Sequence, residues 1–203
     1  MYVAADAPPK AVFRSTTIVL PTDRRVAILG NRLQGKTTLL RLLAGSEAPD
    51  RGEVIASLAL SPIANSRTLF HPRLTGTENL RIVARMIGVD ADRLALTAAA
   101  FCGMGKKIER PICTMSGPER QLLELALLSA LSFGCYLLDN AHSVPPKLLE
   151  RYFNAAARRG AGAIFATIAP RQVYEYADYA VVIRDGTVRG FNQIEEAVQS
   201  YER

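Results

Sequence analysis

Gly30-Asn31-Arg32-Leu33-Gln34-Gly35-Lys36-Thr37-Thr38 carries two glycines five residues apart, then lysine and threonine, which is the spacing of a phosphate-binding loop. The apolar run Val26-Ala27-Ile28-Leu29 leads in and Leu39-Leu40-Arg41-Leu42-Leu43-Ala44 leads out, so the loop joins a strand to a helix. In that setting glycine lets backbone N–H groups curl around phosphate oxygens, and the N-terminus of the helix adds a favourable dipole. Lys36 is then placed to reach the terminal phosphates and the Thr37 hydroxyl to sit on Mg2+. Gly30, Gly35, Lys36, Thr37 and Thr38 are therefore the candidate nucleotide-binding residues. The bland alternative is a loop that only connects strand to helix.

The rest of the composition narrows the surroundings of that loop. A chain of 203 residues with 49% apolar content has enough material for one core of ordinary size, with room for a small inserted subdomain. Its net charge of +6 fits an anionic partner or a nearby anionic lipid surface. No compact Lys/Arg block interleaved with aromatics points to nucleic acid. Cys102, Cys113 and Cys135 lack metal-ligand spacing, and their odd number argues against a disulfide framework, so a reducing, cytoplasmic setting is expected. Asp6, Pro8 and Pro9 interrupt the N-terminus where a signal peptide needs an unbroken apolar stretch. The most apolar region, 122–138, is broken by Glu124, Ser129, Ser132 and Gly134. It reads as a buried helix followed by a buried strand, not a membrane span, and any work at a membrane would be peripheral.

Along the chain, 12–20 reads as an edge strand, 25–29 as the strand before the loop, and 54–60 as another strand entered through Pro49-Asp50-Arg51-Gly52. Between about 66 and 118 the pattern turns helical, with helices over 80–87 and 92–101. A long helix over 119–132 and an all-apolar strand over 135–139 restore the core. A helix over 146–159, strands over 163–167 and 181–183, a turn at Asp185-Gly186 and a helix over 194–201 complete it. Alternating strands and helices predict an α/β fold, a P-loop NTPase sandwich. The helical subdomain 66–118 is inserted within a single domain of 1–203.

In this order the features resemble the nucleotide-binding subunit of an ABC transporter. Thr75-Gly76-Thr77-Glu78-Asn79-Leu80 is similar to the segment that follows the family's glutamine loop. Met115-Ser116-Gly117-Pro118-Glu119-Arg120-Gln121 stands where the Leu-Ser-Gly-Gly signature belongs, and Leu137-Leu138-Asp139 where the Walker B strand ends. The likeness runs from about residue 12 onward and implies an ABC ATPase fold with an N-terminal antiparallel β portion. More narrowly, 74–90 and the closing pattern Asp185-Gly186, Phe191, Glu196-Ala197 and Tyr201 resemble the exporters of capsular polysaccharide and O-antigen. The resemblance implies ATP and Mg2+ as cofactors and a membrane permease as partner. It also implies a homodimer or a heterodimer with another such subunit, and a place on the cytoplasmic face of a bacterial inner membrane. It carries the metal role to Thr37, Asp139 and His71, and contact with the γ-phosphate of the opposite subunit to Ser116 and Gly117. Either Tyr2 or Phe13 would stack on adenine.

Several positions depart from the family pattern. The general base is Asn140, whose amide cannot take a proton from water at neutral pH. The switch histidine is Ile168, which can neither hold phosphate nor orient a catalytic group. Pro118 replaces the second signature glycine and lacks an N–H, although proline also suits the first turn of a helix. Leu33 replaces a glycine in the phosphate loop, and the loop after Walker B, Ser143-Val144-Pro145-Pro146, lacks its acidic residue. His142 is a candidate stand-in base. The expectation is an ATP-binding export subunit with weak or no hydrolysis. The alternatives are a competent export motor and a regulatory or scaffolding protein that has left transport.

Overall fold

The computed structural model describes residues 12–14, 16–64 and 69–203. Six strands form one sheet in the order β2-β3-β4-β1-β5-β6. They are β1 (Arg25–Leu29), β2 (Leu60–Ala64), β3 (Cys135–Leu138), β4 (Gly162–Thr167), β5 (Tyr179–Arg184) and β6 (Thr187–Phe191). All neighbours are parallel except the β5–β6 hairpin. β3 and β4 are buried along their whole length, as central parallel strands covered on both faces must be. Period-two alternation sends Ala27, Leu29, Tyr136, Leu138 and Phe165 to one face and Val26, Ile28, Leu137, Ile164 and Val181 to the other.

The second face is covered by α1 (Lys36–Leu43) through Leu39 and Leu40. The first is covered by α4 (Gly117–Ala130), α5 (Pro146–Ala157), α6 (Pro170–Tyr176) and α7 (Ile194–Glu202). Two further helices, α2 (Gly76–Ile87) and α3 (Ala91–Cys102), pack with α4 around Leu80, Ala84, Leu94, Ala98, Leu123 and Leu127. Their ends are set locally. Thr75 and Glu78 form a capping box on α2, the Asp90 carboxylate accepts from the N–H groups of Asp92 and Arg93, and Gly88 and Gly103 close the two helices in the left-handed region. The end of α3 is joined to α5 by Arg151, which bonds the Phe101 carbonyl and stacks 4.7 Å from the centre of its ring.

Two expected elements differ. Among its described residues, 12–20 carries no strand, and the antiparallel β portion expected at the N-terminus is reduced to one bond from Arg14 N–H to the Gly186 carbonyl at 2.7 Å. The strand expected over 54–60 begins only at Leu60, leaving Val54 and Ile55 exposed. Phe13, Ile18 and Leu20 still pack on the α1 face of the sheet, so the segment is held by its side chains. Helix α6, by contrast, was not expected; Pro170 starts it.

The edges of β1 and β5 are locked by Asp178. Its carboxylate accepts from the Arg25 backbone N–H at 2.9 Å and from the Arg25 guanidinium, while its own N–H donates to the Arg25 carbonyl at 2.8 Å. Burial pushes the Asp178 carboxyl up, but these bonds and the Arg25 charge outweigh it and hold it below its usual value. A carboxyl with a depressed folded pKa contributes stability above its unfolded pKa and loses it as pH falls through the folded value. Asp178→Asn is therefore expected to lower Tm at neutral pH, with the difference from wild type closing below about pH 4; thermal melts across pH 3–7 check it.

Candidate functional site

The loop at 30–38 sits at the C-terminal end of β1, between two strands that bring other groups to it. Gly30 is buried, and a Cβ there would lie 2.8 Å from the Ile183 carbonyl oxygen. Gly35 takes φ 95° as the N-cap of α1, and a Cβ there would run into Val12 and Phe13. Both glycines are thus required by this chain's own packing. Phe13, one of the two aromatics considered for stacking, rests on the loop; Tyr2 lies outside the described residues.

Lys36 is buried, and its ammonium donates to the carbonyls of Gly30 and Asn31, both at 2.7 Å. Burial pushes its pKa down and the Asp139 charge pulls it back up. The Thr37 hydroxyl donates to Asp139 Oδ2 at 2.7 Å, and Asp139 Oδ1 accepts the Asn140 N–H at 2.8 Å. This junction exists because β3 and β1 flank β4 in parallel, with Phe165 facing both Leu138 and Ala27, so Asp139 and the loop after Leu29 emerge at the same end of the sheet. A buried ammonium bonded only to backbone carbonyls, beside a hydroxyl and a carboxylate, suits phosphate oxygens and a hard divalent cation. The donor set therefore fits a nucleotide with Mg2+. Thr38 follows in the first turn of α1.

His71 makes its bonds elsewhere. It is exposed in the turn before α2, where its N–H donates to Asn79 Oδ1 and its carbonyl accepts from Asn79 Nδ2. His142 is exposed yet lies in the field of the loop. Partial desolvation and the charges of Lys36 and Arg32 lower its pKa against the pull of Asp139.

The positions that depart from the family pattern each have a local place. Asn140 adopts φ 49° and its carbonyl accepts from the Ser143 N–H and hydroxyl; asparagine tolerates this left-handed region better than most residues. Ile168 offers its carbonyl to the hydroxyl of Tyr201 at 3.2 Å. Pro118 lies in the first turn of α4, where Ser116 is the N-cap. There Glu119 Oε2 accepts the Ser116 N–H at 2.8 Å, and these bonds hold the Glu119 carboxyl below its usual range. Around Gly117 nothing lies within 4 Å of a would-be Cβ, so its own fold does not demand glycine there. Pro145 and Pro146 open α5.

Two residues join the loops and were not legible as site residues. Gln172 accepts the Thr167 hydroxyl at 2.7 Å and donates to the Ala141 carbonyl at 3.1 Å. Tyr201 reaches from α7 to Asn31 Oδ1 at 2.9 Å as well as to Ile168. Gln172 belongs to no motif. Tyr201 stands in the closing pattern that resembles the exporters, and its spacing of three and four from Val198 and Ala197 marks a packed face, but neither signal gives its destination.

The family profile described as ABC transporter matches residues 13–143. The chain belongs to the ABC transporter family. Relatives include the ATP-binding protein BexA of Haemophilus influenzae, 30% identical over 95% of this chain and 90% of the relative. The capsule polysaccharide export ATP-binding protein CtrD of Neisseria meningitidis is 28% identical over the same shares. The polysialic acid transport ATP-binding protein KpsT of Escherichia coli is 27% identical over 95% of this chain and 90% of that protein. Among solved structures, the ATP-binding subunit of an ABC transporter superposes with a TM-score of 0.77 at 16% identity, covering 93% of this chain and 87% of that one. A dimeric ATP-binding cassette with ADP and phosphate bound gives 0.76 at 16% identity, covering 89% and 90%. The fold is that of an ABC ATPase, and the relatives are those of the polysaccharide-exporter branch.

Leu33, at the tip of the phosphate loop, is fully exposed at φ 64°. Left-handed backbone costs a side-chain-bearing residue about 1–2 kcal/mol, and no burial offsets it. Glycine removes that strain but loses more freedom on folding, roughly 0.5–1 kcal/mol. Leu33→Gly is therefore expected to stabilise the protein by up to about 1 kcal/mol and Leu33→Ile to destabilise it by a similar amount, checked by urea unfolding of both.

Proposed function

We propose that this chain is the ATP-binding subunit of an exporter for a surface polysaccharide of the capsular type, with weak or no ATP hydrolysis of its own. The observation that carries the reading is the contrast within one site. Thr37 is bonded to Asp139 and Lys36 to the carbonyls of its own loop, while the position next to Asp139 holds an amide, Asn140, and position 168 an isoleucine. Gly30, Gly35, Lys36, Thr37 and Thr38 hold the phosphates, and Thr37 and Asp139 face Mg2+, with His71 a more distant candidate ligand. A bound Mg2+ would neutralise phosphate charge. Asn140 can orient a water by hydrogen bonding but cannot accept its proton, and Ile168 contributes only its carbonyl.

In this reading Ser116 and Gly117 meet the nucleotide of a second subunit, identical or different, and the open space around Gly117 suits that approach. The whole chain acts as one nucleotide-binding domain, with 66–118 as its helical subdomain. A cavity of about 830 Å3 lined by Leu69, Val83, Ile87, Leu94, Leu131 and Phe133, beside exposed Met86 and Leu96, would receive a membrane permease. Among the described residues no helix is long and apolar enough to cross a membrane, which accords with a peripheral place on the cytoplasmic face of a bacterial inner membrane. The relatives' names, which include capsule polysaccharide export, support the substrate class. His142 gives the competent-motor alternative its one footing.

The test is calorimetric titration with ATP, with and without Mg2+, alongside phosphate release. Saturable binding is expected, lost in Lys36→Ala, with phosphate release at background. Turnover that disappears in His142→Ala would replace this reading by the competent motor. Absence of saturation up to several millimolar, alone and with its permease, would replace it by a scaffolding role.

A further inference from the structure

Tyr201 joins two loops that have no other direct bond among the described residues. It sits near the end of α7, whose Ala197 and Val198 are buried against the sheet. Residues three and four apart share a helix face, so packing of this face sends the Tyr201 ring inward and its hydroxyl to the mouth of the site. There it meets Asn31 Oδ1 at 2.9 Å and the Ile168 carbonyl at 3.2 Å. Asn31 is in turn bonded through its carbonyl to the Lys36 ammonium at 2.7 Å. Lys36, Asn31, Tyr201 and Ile168 thus form one chain of contacts. A phenol has a single hydrogen, so both contacts are hydrogen bonds at once only when the Asn31 amide turns to donate and the hydroxyl gives its hydrogen to Ile168.

We propose that Tyr201 is a positioning residue that couples the C-terminal helix to occupancy of the phosphate loop. This inference rests on the nucleotide-binding reading above. At position 168 the side chain is apolar and cannot reach a phosphate, so the connection between the loop after β4 and the phosphate loop is made from α7. The Gly30 and Asn31 carbonyls take two of the three hydrogens of the Lys36 ammonium, which leaves one for a phosphate oxygen while the loop stays bonded. A phosphate held there steadies the loop, Asn31 included, and so holds the Asn31 amide against the Tyr201 hydroxyl. Nucleotide entry therefore tightens the contact of Tyr201 with Asn31 and with Ile168, and the end of α7 is ordered together with the loop. The C-terminal helix becomes the element through which the state of the site is read on the outer surface of the core.

Tyr201→Phe keeps the ring and removes only the hydroxyl. In hydrogen exchange of the nucleotide-free protein it is expected to speed exchange about two- to tenfold at 31–36 and 167–170, with Tm and the rest of α7 unchanged. On adding Mg-ATP, wild type should gain protection at 199–203 and Tyr201→Phe should not, and ATP affinity should fall by a similar factor while adenosine affinity stays the same. Asn31→Ala, which leaves α7 intact, should reproduce the loss of protection at 199–203. Unchanged exchange in both loops of nucleotide-free Tyr201→Phe, or equal protection of α7 by Mg-ATP in wild type and variant, overturns the proposal. A wild type that binds no ATP defeats the nucleotide-binding reading and, with it, the coupling, whereas binding without any effect of Tyr201→Phe defeats the coupling alone.

Discussion

The 2.7 Å bond between the Thr37 hydroxyl and the Asp139 carboxylate spans 102 residues of chain, and most of the architecture is a condition for it. Thr37 lies in the first turn of a helix that must follow β1 at one end of the sheet. Asp139 must leave β3 at that same end, although β4 lies between the two strands. Parallel pairing delivers this, because every strand of the group enters the sheet from one end and leaves by the other. Crossover helices α4, α5 and α6 then lie on one face, and their apolar residues fill the cluster that buries β3 and β4 on that side. The polar groups gather where the strands end, in the position that open α/β sheets leave for ligands.

Charge completes the constraint. A buried ammonium is costly unless it is bonded, and Lys36 is satisfied here by two carbonyls of its own loop. Those carbonyls belong to Gly30 and Asn31, so the cation stays solvated by the segment that would otherwise close over it. The loop is thereby preorganised: its glycines are fixed by contact with Ile183, Val12 and Phe13, and only Leu33 at the exposed tip carries backbone strain without a packing partner.

The parts of this site that are local in sequence were legible there, and the parts that depend on distant pairing were not. Gly30 to Thr38 declare themselves because spacing alone determines how the backbone turns. Asp139 is legible because it ends an unbroken apolar run. The C-terminal end of α2 was legible from Gly88, whereas its start lies at Gly76 behind the Thr75 cap, four residues before the expected 80. The segments 12–20 and 54–58 misled because their β-branched residues favour extended backbone without specifying a partner, and a strand exists only where another completes its ladder. The contacts of Gln172 and Tyr201 were invisible for the opposite reason. Each is an ordinary polar residue on a helix, and each acquires its role from a loop 31 and 170 residues away.

The substitutions on the hydrolytic side make physical sense as members of this fold. Asn140 occupies a left-handed position where asparagine is less strained than glutamate, and its carbonyl anchors the turn through Ser143. Pro118 lies in the first turn of a helix that needs no N–H from it. Ile168 bonds through its carbonyl, which any residue provides. None of the three weakens the sheet or the loop, whereas Gly30, Gly35 and Lys36 are each tied into the packing or hydrogen bonding of the core. The groups that would bind phosphate are therefore bound up with stability, and those that would activate water are not.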